Sequence, residues 1–146
     1  MALEIEHKYL VRNDGFRNLA TDSIHISQGY LSREPERTVR VRIKGEKGFL
    51  TIKGKNSGAV RSEFEYEIKL DEARKMLAMC VPPILEKIRY IVPFDGHTWE
   101  VDEFLGHLTG LVTAEIELAT PDESYQIPDF VGKDVTGDAA YYNSNL

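Results

Sequence analysis

Segment after segment of this chain alternates charged with apolar residues, and in most of these segments the charges share one sign. Side chains alternate faces along an extended strand, so such alternation puts every charge of a segment on one face. Over residues 3–11, Glu4, Glu6 and Lys8 share a face, and Ile5, His7 and Tyr9 share the other. Carboxylates two residues apart on a strand can share one hard cation, which prefers oxygen ligands. Lys8 beyond them can hold an anion that the same cation touches. Taken alone, such a strand is equally a solvated sheet face; its repetition along the chain is what constrains the fold.

The pattern recurs at 38–44, where Arg40, Arg42 and Lys44 alternate with β-branched residues, and at 49–55, where Thr51, Lys53 and Lys55 fall together. It returns at 62–68 with Glu63, Glu65 and Glu67, at 85–92 with Lys87 and Arg89, at 98–104 with Glu100 and Asp102, and at 111–118 with Glu115 and Glu117. Residues 24–31 read as a further strand in which Gly29 marks a bend. Hairpin turns are expected at 45–48 and at Asp95-Gly96. Residues 16–20 read as a short helix. The clearest helix spans 70–80, capped by Asp71, with Ala73, Met76, Leu77 and Cys80 as its apolar stripe and Pro82-Pro83 as its stop. A short element at 128–132 and a last helix at 138–145 complete the chain.

In an ordinary antiparallel sheet the charged face meets solvent and the apolar face meets the core. Two features favour the inverse arrangement. Like charges crowded on a strand face are unfavourable unless a strand of opposite sign, a polyanion or a metal compensates. There is also little helix to cover a large sheet, and closing it into a barrel removes the exposed edges. The charged faces would then line the inside and the apolar faces, Tyr66 and Trp99 included, would look outward into a coat.

Composition narrows the classes. A chain of 146 residues supports one domain, expected to run 1–146, with a substantial core. A formal net charge of −6 argues against a general nucleic-acid binder. No apolar run is long enough to span a bilayer, and residue 1 onward shows no apolar signal region. The single Cys80 reads as a small buried hydrophobe, and the expected setting is cytoplasmic, without membrane or nucleic-acid partners. His7, His25, His97 and His107 lack metal-ligand spacing and are assigned no catalytic role.

Glu4-Ile5-Glu6-His7-Lys8 resembles the ExExK motif of the CYTH superfamily, the triphosphate tunnel metalloenzymes. The resemblance continues through Gln28-Gly29-Tyr30-Leu31, Arg40-Val41-Arg42, Leu50-Thr51-Ile52-Lys53-Gly54, Arg61-Ser62-Glu63-Phe64-Glu65 and Glu86-Lys87-Ile88-Arg89-Tyr90. Glu100-Val101-Asp102-Glu103-Phe104, Ala114-Glu115-Ile116-Glu117, Val135-Thr136-Gly137-Asp138 and Tyr142-Asn143 extend it over nearly the whole chain. One departure is Ala139-Ala140, where family members often carry a basic residue before the aromatic of a C-terminal helix.

The resemblance implies a mainly β fold: an eight-stranded antiparallel closed barrel with a few peripheral helices. It implies a metal site of Glu4, Glu6 and Glu117, with Glu115 nearby, for Mg²⁺ or Mn²⁺. It implies phosphate binding by Lys8, Arg40, Arg42, Lys53, Lys87 and Arg89. Glu63, Glu65 and Asp102 would serve a second metal or position the attacking water, with Glu67 as a substitute, and Tyr30 would pair with Lys8. Lys44 and Lys55 lie on the right faces. The expected activity is hydrolysis of tripolyphosphate by a monomer or homodimer. A class IV adenylyl cyclase, a thiamine triphosphatase and a non-catalytic polyphosphate-binding module are the alternatives. Activation of water by the metal is favoured over a Lys8–Tyr30 base.

Overall fold

The computed structural model describes residues 3–146; Met1 and Ala2, at the start of the expected domain, lie outside the described residues. The chain runs β1 (Leu3–Val11), α1 (Phe16–Leu19), β2 (Asp22–Ser32), β3 (Thr38–Lys44), β4 (Lys47–Lys53), β5 (Val60–Ile68), α2 (Leu70–Ala78), β6 (Val81–Phe94), β7 (His97–Phe104), β8 (Val112–Glu117) and β9 (Val131–Asp134). All pairings are antiparallel, in the order β5-β4-β3-β2-β6-β7-β8-β1, and β1 returns to β5 to close the barrel. The closing seam is short: Leu3 faces Ser62, Glu4 faces Arg61 and Ile5 faces Val60. Beyond it, β9 takes over the same edge of β1, with Tyr9 opposite Asp134 and Val11 opposite Val131. The result is the expected eight-stranded closed barrel plus one added strand.

Alternation decides which face is which. Ile5, Tyr9, Trp99, Val101, Ala114 and Ile116 point outward and are buried, packed with Phe16 from α1 and with Phe130 and Val131 from the C-terminal segment. Trp99 thus sits in the outer coat at full burial, whereas Tyr66 is 57% exposed on the uncovered outer face of β5. On another side α2 covers the barrel: Ala73, Cys80, Met76 and Leu77 pack on Val41, Leu50 and Ile84. The approach is close enough that a Cβ on Gly48 would stand 2.5 Å from Ala73 Cβ. At the β6–β7 hairpin, Asp95 (φ 50°) and Gly96 (φ 79°) occupy the left-handed region that a tight two-residue turn requires.

Several elements depart from expectation. Helix α2 ends at Ala78 and begins after Lys69, which makes no side-chain cap; Asp71 lies inside the first turn. Pro82 and Pro83 open β6 as well as following the helix. They precede the first β6–β7 pair, Lys87 with Phe104, so β7 does not need their missing N–H groups. The element expected at 128–132 becomes β9, which begins at Val131. The expected last helix is two 3₁₀ turns, Ala139–Tyr141 and Asn143–Asn145, separated by an extended Tyr142 (ψ 133°). The Asp138 carboxylate accepts from Ala140 N and the Asn145 amide donates to Ala139 O, so local side-chain bonds hold the turns in place of a helical ladder.

Candidate active site in the barrel lumen

The inward faces of the strands enclose a cavity of about 240 Å³. Strand order sorts its walls by charge. Lys53 on β4, Arg40, Arg42 and Lys44 on β3, Tyr30 on β2 and Arg89 on β6 form one arc. Glu100 on β7, Glu115 and Glu117 on β8, Glu4 and Glu6 on β1, and Glu63 and Glu65 on β5 form the other. Register aligns the acids: Glu6 lies opposite Glu117, Lys8 opposite Glu115, and Glu100 opposite Glu115.

The two arcs meet through ion pairs. Lys53 Nζ donates to both Glu4 oxygens at 3.0 and 3.1 Å and lies 3.4 Å from Glu63. Arg40 Nη2 lies 3.4 Å from Glu65 Oε2, which also accepts from Thr51 Oγ1 at 3.0 Å. Arg89 is clamped by Asp102, Nε and Nη2 donating at 2.8 and 2.9 Å, and reaches Glu100 at 3.5 Å and Glu115 at 3.6 Å. Arg40 Nε and Lys87 Nζ are buried donors without a hydrogen-bond acceptor among the described residues; Lys87 Nζ stands 2.7 Å from Asp102 Oδ2 at angles that make no hydrogen bond. Of the two, Arg40 lines the cavity, and a buried cationic donor left over there suits an anion.

The carboxyls titrate unequally. Burial pushes Glu4 up, but Lys53 outweighs it and holds the group below its usual range. Glu115 is likewise raised by burial, yet Lys8, a hydrogen bond from Glu6 and the charge of Arg89 hold it well below. Glu6 goes the other way: burial, then the charges of Glu115 and Glu4, lift it well above. Burial and neighbouring carboxylates also raise Glu63 and Glu117. On the basic arc, burial and then the Asp102 charge act in opposite senses on Lys87, and Arg89 and Arg42 join burial to bring it down to about 7.

A divalent cation fits this chemistry. Glu4, Glu6, Glu115 and Glu117 offer only oxygen, which hard cations prefer; burial and then mutual repulsion lift Glu6 and Glu117, and a cation relieves the repulsion. Among the described residues they do not converge into a finished cage, because Lys53 and Lys8 engage Glu4 and Glu115.

Some expectations change. Asp102 faces inward as its parity requires but is fully buried between Lys87 and Arg89, outside the cavity lining; it orients cations and has no open side for water or metal. Lys87, also fully buried, stands with it outside the lining. Tyr30 lines the cavity, but its hydroxyl accepts from Gln28 Nε2 at 3.1 Å, while Lys8 Nζ donates to Tyr141 O at 2.9 Å, so the expected Lys8–Tyr30 pair is not formed. Lys55 follows the end of β4 and Glu67 lies near the end of β5; both are exposed and outside the lining. Glu117 lines the cavity from an exposed position. Glu100, Arg61 and the buried Gln28 were given no role from the sequence, although Glu100 shares its inward parity with Asp102 and the other two stand in the quoted motifs.

A closed antiparallel barrel whose lumen sets an arc of carboxylates against an arc of guanidinium and ammonium groups has the charge for a polyanion on one side and for a cation on the other. The chain belongs to the CYTH domain family, which matches residues 2–142. It is 47% identical over 147 residues to an inorganic triphosphatase of Acetivibrio thermocellus, covering 100% of this chain and 94% of that protein. It is 31% identical to an inorganic triphosphatase of Nitrosomonas europaea, covering 98% and 95%. The crystal structure of an inorganic triphosphatase superposes with a TM-score of 0.68 at 30% identity, over 97% of this chain and 95% of that one.

Proposed function

We propose that this protein hydrolyses inorganic triphosphate to pyrophosphate and phosphate, with Mg²⁺ or Mn²⁺ held on the acidic arc. The observation that carries this reading is the sorting of charge in one lumen: an arc of carboxylates faces an arc of guanidinium and ammonium groups. Residues of the basic arc, Arg40, Arg42, Lys53 and Arg89, with Lys8, would hold the phosphate oxygens in a site drier than bulk solvent, where such contacts count for more. Lys87 and Asp102 would act from behind, keeping Arg89 aimed inward. Glu4, Glu6, Glu115 and Glu117 would hold the divalent cation, which supplies charge neutralisation on the phosphate oxygens. Glu63 and Glu65, beside the basic arc and in contact with Lys53 and Arg40, would orient the attacking water. That oxygen bonds to the terminal phosphorus as the bridging P–O bond breaks and pyrophosphate leaves. Positioning and charge account for most of phosphoryl transfer, so a preorganised lumen suffices.

The same reading places the protein in the cytoplasm as a single 1–146 domain acting as a monomer or homodimer. No helix among the described residues is long and apolar enough to cross a membrane. The deciding experiment is phosphate release from tripolyphosphate, ATP and thiamine triphosphate with Mg²⁺ and with Mn²⁺. Preferred cleavage of tripolyphosphate is expected; cyclic nucleotide formed from ATP, or binding without release, would replace this reading.

A further inference from the structure

Arg42 differs from the other buried cations of the barrel. Lys53, Arg40, Lys87 and Arg89 each face a carboxylate, whereas Arg42, 8% exposed, makes no ion pair among the described residues. Its partner is neutral: Nε and Nη2 both donate to Gln28 Oε1, at 3.1 and 2.9 Å. Gln28 is fully buried, and its Nε2 contacts Tyr30 Oη at 3.1 Å. Chemistry fixes the amide orientation. A guanidinium only donates, so Oε1 must face Arg42 and the amide NH₂ must face Tyr30. The Tyr30 oxygen therefore accepts, and its own proton is free to donate elsewhere. Both Arg42 and Tyr30 line the cavity. Burial, then the charges of Arg40 and Arg89, bring Arg42 down to about 9, which leaves it charged at neutral pH.

We propose that Gln28 is a positioning residue that aims two donors, the Arg42 guanidinium and the Tyr30 hydroxyl, at one phosphate oxygen of the substrate while leaving the Arg42 charge uncompensated. A carboxylate at this position would hold Arg42 equally well but neutralise it; an amide of the same shape orients without neutralising. This rests on the lumen being a triphosphate site.

The test compares parent, Gln28→Glu, Arg42→Met and the double variant, reading the Kd of tripolyphosphate by calorimetry without added metal, and kcat and KM with Mg²⁺. Gln28→Glu should weaken binding roughly tenfold or more, about 1.4 kcal/mol per decade. In the Arg42→Met background the same change should cost little, since residues acting through one contact are non-additive. Parent-like binding by Gln28→Glu, or its full effect persisting without Arg42, overturns the proposal and leaves Gln28 as core packing. Melting curves report folding. If Gln28→Glu does not fold, Gln28→Met decides: Arg42 keeps its charge but loses its aim, so kcat should fall more than affinity, and unchanged kcat and Kd overturn the idea. A parent that binds tripolyphosphate without releasing phosphate removes the proposed activity, and the Kd comparison still decides the role of Gln28. A parent that does not bind at all overturns both.

Discussion

Lys53 Nζ lies 3.0 and 3.1 Å from the two carboxylate oxygens of Glu4, beside the seam where β1 closes onto β5. A residue of the basic arc thus neutralises a residue of the acidic arc where the arcs meet. A cation arriving at Glu4 competes with this ammonium. Lys53→Met should therefore tighten Mn²⁺ binding in the absence of substrate, by roughly tenfold for about 1.4 kcal/mol of relieved repulsion, while weakening tripolyphosphate. Titration followed by the Mn²⁺ spin-resonance signal checks this; unchanged Mn²⁺ affinity would remove Glu4 from the cation site.

The acidic arc is tested directly by Glu4→Gln, Glu6→Gln and Glu117→Gln. Each should abolish most divalent-dependent phosphate release while the melting curve stays cooperative, because a hard-cation site with few carboxylates tolerates the loss of one poorly. Parent-like activity at limiting Mg²⁺ in all three would refute the assignment.

Arg40 offers the cleanest test of transition-state charge stabilisation, since its Nε is a buried donor without an acceptor among the described residues. Arg40→Ala should lower kcat by roughly 10²–10³-fold, the scale of one lost preorganised contact. An effect confined to KM would mean that Arg40 binds ground and transition states alike.

Asp102 sets an acid limit on stability. Burial alone would raise its carboxyl, but Arg89 and then Lys87 override it and hold the group at about 2. Its folded value lies below the unfolded one of about 3.9. The unfolded chain therefore binds the proton more readily, and the stabilisation is complete above pH 4 and lost as pH falls through 2. Asp102→Asn should remove this loss. It should also destabilise the protein at neutral pH by roughly 3–5 kcal/mol, because Lys87 stays buried without its counter-charge and Arg89 loses its two-pronged partner. Urea melts of both proteins from pH 2 to pH 7 measure the two effects; an undiminished acid transition in the variant would assign it to other carboxyls.

The outer coat is tested at Gly48. A methyl there meets Ala73 Cβ at 2.5 Å, so α2 must move off the barrel. Gly48→Ala should destabilise by roughly 1–3 kcal/mol, the usual cost of overpacking, with an activity change smaller than that of any lumen variant. A parent-like melting temperature would show that α2 shifts without cost.

Much of the site was legible because side-chain parity is a local property. Glu4 and Glu6, Arg40 and Arg42, and Glu115 and Glu117 each share a face by spacing alone, and each pair lines the cavity. Asp102 shows where parity stops. It was placed inward correctly, but the β6–β7 register sets it opposite Arg89, and that pairing takes it from the cavity wall into an ion pair. The β9 strand was only partly legible: a short element was expected at 128–132, but Val131, Gly132, Lys133 and Asp134 do not alternate, and they form a strand because β1 offers an edge that the short β5 seam leaves free. The last helix failed for a related reason, since Asp138 and Asn145 side chains satisfy backbone groups that a helical ladder would otherwise use.

The sequence by itself determined which residues are charged, which face of each strand carries them, and that these faces need a partner. Along the chain, however, acids and bases come mixed: acids on β1, bases on β3 and β4, acids on β5, bases on β6, acids on β7 and β8. Only the tertiary structure separates them. Pairing β6 with β2 brings its cations beside those of β3, and pairing β1 with both β8 and β5 gathers the carboxylates on the opposite side. Those contacts join residues far apart in the chain. Barrel closure and register decide them, and no local pattern encodes either.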